Sequence, residues 1–174
     1  MHSQTNEQAL EAAIEKHLSG TCLEDIKEQG KPIDAVNEDA EVYRNGKGFL
    51  VGQPANFNAQ YAIDEQFFWE FLQETQPEEL DKIQKQSDWK LKILQRFDRM
   101  IKRYGVLHLL KKGLEVDDAY FTLFYQLPLA SSGVSVKEKF QKNRFSVTRQ
   151  IRYNLDRPGE EIDLVLFING LPII

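Results

Sequence analysis

The sequence predicts an α/β fold in which helices flank a central mixed β-sheet. Helical spacing of apolar residues dominates the first 112 residues, whereas β-rich apolar runs occur after residue 118. One run, 164–168, is apolar at every position, which is typical of a central strand covered on both faces. With 174 residues, 41% of them hydrophobic, the chain is predicted to form one domain that folds without disulfides.

The first predicted helix covers residues 6–19. Thr5 and Gln8 form a capping-box pattern at its start. Positions 9, 10, 13, 14 and 18 are apolar and form a stripe at helical spacing. The next forty residues, including residues 44–48, are rich in turn-forming residues, so we predict loop there, with room for a hairpin.

Four more helices are predicted between residues 64 and 112. Asp64 begins one that runs to about residue 74, with aromatic residues that we assign to the core. Pro77, followed by two glutamates, begins the next, because proline and acids both favour a first turn. The longest helix follows residue 88 and ends at Gly105. A shorter one, 106–112, ends at Gly113.

Three β-rich segments follow the helices. Residues 119–127 are aromatic and predict a strand, and residues 145–153 predict a half-buried strand with one slip in its alternation. The run 164–168 is followed by Asn169-Gly170 and a second apolar run. Because Asn-Gly favours a type I′ turn, we predict a hairpin in which Ile168 pairs with Leu171.

Charge is unevenly distributed along the chain, although the net charge is only −5. Residues 1–81 carry a net −12, whereas residues 82–112 carry +8 and residues 137–157 carry +5. The overall acidity therefore does not exclude a surface that binds a polyanion.

The longest helix concentrates part of that positive charge on one face. Lys92, Arg96, Arg99 and Arg103 stand at positions i, i+4, i+7 and i+11, opposite the apolar residues of the helix. Such a stripe can contact several DNA phosphates without reading sequence. The alternative is a solvated face that pairs with the acidic first half of the chain.

Other features of the sequence narrow the class of protein. Cys22 is the one cysteine, the first residues are polar and acidic, and no apolar run approaches the roughly 20 residues that span a bilayer. We therefore expect a soluble cytoplasmic protein with no membrane partner. Nucleotide-binding glycine motifs, a serine-hydrolase motif and histidines at metal-ligand spacing are all absent from the sequence.

Asp163 stands at the head of the apolar run. An ionised carboxylate inside a buried strand is costly unless a cation, a metal ion or N–H donors compensate it. The alternative is an ordinary acid at the solvent-exposed start of the strand. The residues alone leave both interpretations open.

Two segments of the chain carry a family resemblance. The first segment is Asn143-Arg144-Phe145-Ser146-Val147-Thr148-Arg149-Gln150-Ile151-Arg152-Tyr153. The second segment runs from Glu161 through Asp163 and Asn169-Gly170-Leu171-Pro172 to Ile174. Both resemble the N-terminal nuclease domain of the R (restriction) subunit of type I restriction enzymes, whose core is of the PD-(D/E)xK restriction-endonuclease type. In that family, the second segment runs directly into a Glu-x-Lys signature.

The resemblance implies a DNA-cleaving site that uses Mg²⁺. Asp163 corresponds to the first acid of the signature and would be a metal ligand. The Glu and the Lys are expected just beyond Ile174, so we expect the sequence to be the nuclease part of a larger subunit, truncated within its C-terminal hairpin and inactive alone. ATP-driven motor domains are expected downstream. Partners implied by the family are duplex DNA and the modification and specificity subunits.

The resemblance also implies further site residues. Glu11 is a second catalytic candidate, since several PD-(D/E)xK families bring a first-helix glutamate near the metal; the alternative is an exposed helix acid. Arg149, Arg152 and Gln150 lie on the strand that precedes Asp163 and are candidates for DNA contact; Gln150 resembles a polar strand position of the family, and a solvated strand face is the alternative for it. The rival function is a non-catalytic DNA-binding or subunit-docking module in which Asp163 is structural.

Overall fold

The computed structural model describes residues 3–33, 48–157 and 159–173, with side chains described from residue 6 onward. In these ranges the α-helices are α1 (Ser3–Ser19), α2 (Leu23–Gln29), α3 (Glu65–Thr75), α4 (Pro77–Ile83), α5 (Trp89–Tyr104), α6 (Val106–Lys112) and α7 (Val134–Gln141). The strands are β1 (Leu50–Val51), β2 (Phe57–Asn58), β3 (Ile63–Asp64), β4 (Leu114–Val116), β5 (Ala119–Phe121), β6 (Phe145–Arg152), β7 (Glu161–Ile168) and β8 (Leu171–Pro172).

The main sheet has the strand order β1-β6-β7-β8. Strand β1 is parallel to β6, whereas β6, β7 and β8 are antiparallel to one another. The sheet is therefore mixed, and the predicted α/β class is confirmed. Strand β7 is interior, as predicted, and its residues Val165 and Phe167 are buried. Two small antiparallel pairs, β2-β3 and β4-β5, complete the strands of the described residues.

Local sequence signals explain the middle helices, whose predicted positions are confirmed. Asp64 caps α3, because its Oδ1 accepts a hydrogen bond from the Phe67 N–H at 3.1 Å. Burial raises the pKa of this carboxyl to about 6, against the lowering by hydrogen bonds from N–H groups of the first helical turn. Pro77 opens α4, and Gly105, with φ of 80°, ends α5.

The largest hydrophobic core lies between the middle helices and the β4-β5 pair. Its fully buried members include Phe68 and Phe71 of α3, Phe97 of α5, Leu109 of α6 and Phe121 of β5. The predicted assignment of the aromatic residues of α3 to the core is thus confirmed. Leu171 of β8 belongs to the same cluster, which joins the end of the main sheet to these helices.

The turn between β7 and β8 has the predicted geometry. Asn169 and Gly170 have φ values of 51° and 79°, both positive as a type I′ turn requires, and Ile168 pairs with Leu171. The turn also packs closely on α3. Asp64 N–H donates to the Gly170 carbonyl at 2.9 Å, and a Cβ at position 170 would lie 2.5 Å from the Asp64 carbonyl oxygen.

The predicted strand 119–127 is wrong beyond residue 121. Only Ala119–Phe121 pairs, with β4, a strand that the sequence did not suggest. The following backbone is held by side-chain amides instead. Thr122 N–H donates to Gln76 Oε1 at 2.6 Å, and Tyr125 N–H donates to Asn143 Oδ1 at 3.0 Å. These side chains replace the partner strand, because they satisfy the backbone groups that a ladder would have used.

Two further differences concern the first half of the chain. The segment predicted as loop contains α2 and β1, and β1 pairs in parallel with β6 rather than in a hairpin. Residues 44–47 of the predicted turn lie outside the described residues. Helix α1 is present, but its predicted apolar stripe faces solvent, with Leu10 62% and Ile14 39% exposed. Its buried side chains are Glu11, Glu15 and Ser19.

Replacement of Gly170 by Ala tests the packing of the hairpin turn. We expect the free energy of unfolding to fall by about 3 kcal/mol, because the new Cβ would both strain a left-handed residue and overlap α3. Gly133→Ala is the control, since Gly133 has φ of −63° and nothing within 4 Å of an added Cβ. Denaturant unfolding of both variants measures the difference, and equal stabilities would contradict the described packing.

Candidate functional site

Asp163 is the third residue of β7 and is exposed, as are the two residues before it. Strand β7 becomes buried only from Val165 onward. Among the described residues, no ion pair or hydrogen bond engages the Asp163 carboxylate. The structure therefore corresponds to the alternative of an acid at the exposed start of the strand, and it leaves the carboxylate oxygens accessible to a ligand.

Strand β6 is distorted opposite Asp163. Arg149 pairs with Leu164 and Ile151 pairs with Ile162, so the register places Gln150 across from Asp163. Gln150 is exposed and has φ of 55°, a left-handed conformation that is unusual inside a strand. The prediction of a half-buried strand is wrong here, because Ser146, Thr148 and Arg149 are buried together with Val147.

Beyond the distortion at Gln150, the side chains of β6 do not continue the alternation between the two faces of the sheet that precedes it. Ile151 packs with Val165 and Phe167, although its register partner Ile162 is partly exposed. Alternate side chains of a strand project from one face, so Asp163 shares the face of Val165 and Phe167. Phe57 covers the buried part of this face, with its ring centroid 6.2 Å from that of Phe167. Asp163 thus lies at the open end of an otherwise covered face.

A buried ion cluster holds α1 and α2 against β6. Arg149 is 2% exposed, and its guanidinium contacts Glu11 at 3.2 Å, Glu15 at 3.3 Å and Glu24 at 2.9 Å. Burial raises the pKa of Glu15, although the Leu23 N–H and Arg149 both act to lower it. The cluster explains why α1 turns its acidic face inward: the carboxylates neutralise a buried arginine.

These contacts correct two site predictions. Arg149 is not available for DNA contact, because its guanidinium is buried and engaged by carboxylates. Glu11 is buried, and none of its contacts among the described residues is with Asp163. It pairs with Arg149, whose register partner Leu164 projects from the face opposite that of Asp163. The structure therefore does not bring Glu11 and Asp163 into one site.

Arg152 occupies the position that was predicted for it at the end of β6. Its side chain is exposed, and Nε donates to Glu161 Oε1 at 2.8 Å across the β6-β7 pair. Exposed ion pairs of this kind are weak and open readily. Arg152 thus remains accessible on the same hairpin as Asp163.

The basic residues of α5 share one exposed side of the helix, opposite its buried residues Ile93, Leu94 and Phe97. We call Lys92, Arg96, Arg99 and Arg103 the basic face. Lys92 pairs with Asp117, and Arg96 Nε donates to the Glu115 carbonyl at 3.1 Å.

The rest of the basic face is less constrained. Arg103 lies over the Tyr104 ring at 5.1 Å, and Arg99 has no ion pair or hydrogen bond among the described residues. In the described part of the chain, the contacts of the basic face come from β4-β5 and from neighbouring residues. None of the ion pairs or hydrogen bonds found there for the basic face involves an acidic residue of 6–33 or 48–81.

The sequence did not reveal Asp117 or the remaining members of the Arg149 cluster. The pairing of Asp117 with Lys92 depends on the tertiary position of the β4-β5 turn, which no local pattern indicated. Glu11, Glu15 and Ser19 have helical spacing, which was the one available signal for a buried polar face.

Asp163 fits one ligand position of a Mg²⁺ ion. Such an ion is held through one or two carboxylates and otherwise keeps water or binds phosphate oxygens. Within the described ranges, no group of three or more His, Cys, Asp or Glu side chains could hold a metal ion. None of the helices in those ranges has the length and apolarity needed to cross a membrane.

The fold and the site together define an α/β protein with an accessible aspartate at the head of an interior strand and a basic face on its longest helix. Comparison with protein families gives a match to the type I restriction enzyme R protein N terminus over residues 58–174. The chain belongs to this family, in which it represents part of an R subunit. Comparison with curated proteins found no match. Comparison with solved structures found none either.

The matched range divides the candidate residues. It contains Asp163, the basic face, Gln150 and Arg152, whereas Glu11 and the rest of α1 lie before it. Both segments of the resemblance, 143–153 and 161–174, fall within the match.

Replacement of Arg149 by Met tests the role of the buried cluster. We expect a loss of about 3 to 5 kcal/mol in the free energy of unfolding, because buried carboxylates would lose their counter-charge. Arg152→Met, on the same strand but with an exposed ion pair, should cost less than about 1 kcal/mol. Denaturant unfolding measures both values. A small effect at Arg149 would show that its guanidinium is not buried as described.

Proposed function

We propose that this chain is the nuclease part of a type I restriction R subunit and that the complete site hydrolyses phosphodiesters of duplex DNA. The observation that carries the proposal is the position of Asp163 within the family match. Its carboxylate is exposed at the head of β7 and has no partner among the described residues. A structural role would instead leave it hydrogen bonded or ion paired.

The proposed chemistry assigns a limited task to each residue. A bound Mg²⁺ supplies charge neutralisation at the phosphate and makes water nucleophilic at neutral pH. Asp163 would hold this ion through a carboxylate oxygen. Its position is held because β6 pairs with β7 on either side of Asp163, at Ile162 and Leu164, and because the turn that follows β7 is anchored on α3. The Glu and the Lys of the family signature would lie on the continuation of β8.

The larger assembly belongs to the same proposal. Residues 1–174 would be a single nuclease domain, and ATP-dependent motor domains of the same subunit would move the DNA. Modification and specificity subunits would complete the cytoplasmic enzyme. On this proposal the 174 residues alone have no nuclease activity, since one carboxylate leaves most of the coordination shell of the metal to water.

The basic face supports duplex DNA as the partner. Four cations stand on one side of α5 within a chain whose net charge is −5. Along the helix axis, Lys92 and Arg103 are about 16 Å apart, at about 1.5 Å per residue. A row of this length is suited to several successive phosphates rather than to one small anion.

Asp163→Ala in the full-length subunit, assembled with its partners, tests the metal-ligand role. We expect DNA cleavage to fall by at least about a hundredfold, because the metal contributes several kcal/mol of transition-state stabilisation. ATP hydrolysis and translocation should stay near wild type. Asp156→Ala removes another exposed acid, from the β6-β7 connection, and should leave cleavage unchanged. Cleavage retained in the Asp163 variant would remove this residue from the site.

The second candidate function is a DNA-binding or subunit-docking module without catalysis. The exposed basic face favours it as strongly as it favours a nuclease, because DNA contact does not require a metal site. The gene sequence after the codon for Ile174 discriminates between the two. The nuclease proposal expects Glu-x-Lys within a few codons, and the absence of both residues would favour the module.

Replacement of Arg96, Arg99 and Arg103 by Gln tests the basic face. Binding of the 174-residue chain to two unrelated DNA duplexes should weaken about equally, since interactions with phosphates carry no sequence information. The slope of log K against log salt should become shallower by about 0.9 for each phosphate that the variant no longer neutralises. Fluorescence anisotropy over a salt series measures both effects. The control changes Lys16, Lys27 and Lys31 to Gln, and an equally weakened affinity in that variant would refute the assignment.

A further inference from the structure

A cleft separates α5 from the β4-β5 turn and has a volume of about 310 Å³. Three cations of the basic face line one side of it. The opposite side comes from Glu115, Val116 and Asp117. The cleft is thus a depression in the basic face and has a size suited to a small oxyanion.

The polar groups of the cleft hold a carboxylate in place. Lys92 Nζ contacts Asp117 Oδ2 and also donates to Gln86 Oε1 at 3.1 Å. Arg96 is oriented by its hydrogen bond to the Glu115 carbonyl, while Arg99 lines the cleft without a partner among the described residues. Asp117 therefore places a negatively charged group beside cations that an external anion would use.

The backbone of the turn fixes the position of Asp117. Its φ of 53° is left-handed, which is uncommon for a residue other than glycine. Three register pairs between β4 and β5, from Leu114↔Phe121 to Val116↔Ala119, hold the turn on either side. The Lys92 side chain is 36% exposed and that of Asp117 is 42% exposed. A pair so exposed to solvent is weak and can be replaced by a stronger anion.

We propose that this cleft is a subsite for one phosphate of the DNA backbone and that the Asp117 carboxylate occupies it until DNA displaces it. A phosphate would present oxygens to Lys92, as the carboxylate does, and also to Arg99, with additional charge-assisted hydrogen bonds. Asp117 then returns to solvent. This inference rests on the proposed DNA contact of the basic face and adds an internal competitor that weakens binding when few phosphates are engaged.

The row of cations favours DNA over free phosphate as the source of that group. Arg103 continues the basic face one turn beyond Arg99, outside the cleft. A lone phosphate in the cleft would leave Arg103 unused, whereas a DNA backbone would contact both. The cleft is therefore assigned to a phosphodiester within a duplex.

Asp117→Asn in the 174-residue chain provides the test, with Asp118→Asn as the matched control. Asp118 is an exposed acid of the same turn, so it reproduces the charge change without an ion pair to Lys92. In anisotropy titrations at low salt, we expect D117N to bind duplex DNA about two- to fivefold more tightly than D118N, in line with the strength of an exposed pair. In a K92Q background, this difference should disappear.

The possible failures are distinguishable. Equal affinities of D117N and D118N, with weakened binding by the triple-Gln variant, would overturn the subsite while leaving the basic face intact. Normal binding by the triple-Gln variant would overturn the proposed DNA contact and this inference with it.

Titration with inorganic phosphate is a third arm. Tighter phosphate binding by D117N without a change for DNA would identify a free-phosphate site and refute the assignment. Thermal unfolding confirms that each variant is folded.

Discussion

The buried side chain of Asn169 connects the interior strand to the rest of the molecule. Its Oδ1 accepts from the Arg144 N–H at 2.6 Å, and its Nδ2 donates to the Leu123 carbonyl and to Asn143 Oδ1. One turn residue thus joins the end of β7 to the start of β6 and to the segment after β5. Because unsatisfied amides are costly when buried, these bonds select one position for the hairpin. Because Asp163 lies on β7, the position of its carboxylate depends on where this hairpin is held.

Different kinds of interaction hold the two ends of the main sheet. At the Asn169 end, neutral hydrogen bonds and aromatic packing fix the turn. At the other end, Arg149 is held by three carboxylates, and α1 is oriented by charge neutralisation rather than by its apolar residues. Asp163 lies on β7 beyond Leu164, the register partner of Arg149, and takes part in neither region. Both regions therefore hold β7 in place, and the exposed carboxylate of Asp163 remains accessible to a ligand.

Much of this fold could be predicted, because local signals agreed with tertiary structure. The capped helices from Asp64 to Gly113 and the Asn169-Gly170 hairpin depend on spacing and turn chemistry within a few residues. Predictions failed where distant partners decide the outcome. The strand after Phe121 ends because amides from Gln76 and Asn143 replace a ladder, and neither residue is near in sequence. The orientation of α1 depends on an arginine more than 130 residues away.

The site could be predicted in part for the same reason. The assignment of Asp163 comes from the resemblance and stays a prediction, whereas Asp117 and the burial of Arg149 required knowledge of which elements pack together. The central claim is that Asp163 holds a metal ion in the complete subunit, and Mn²⁺ binding without ATP tests it most directly. Electron paramagnetic resonance titration of the full-length R subunit should detect a bound Mn²⁺ that is absent from D163A. Identical Mn²⁺ binding by the wild type and the variant would contradict the account.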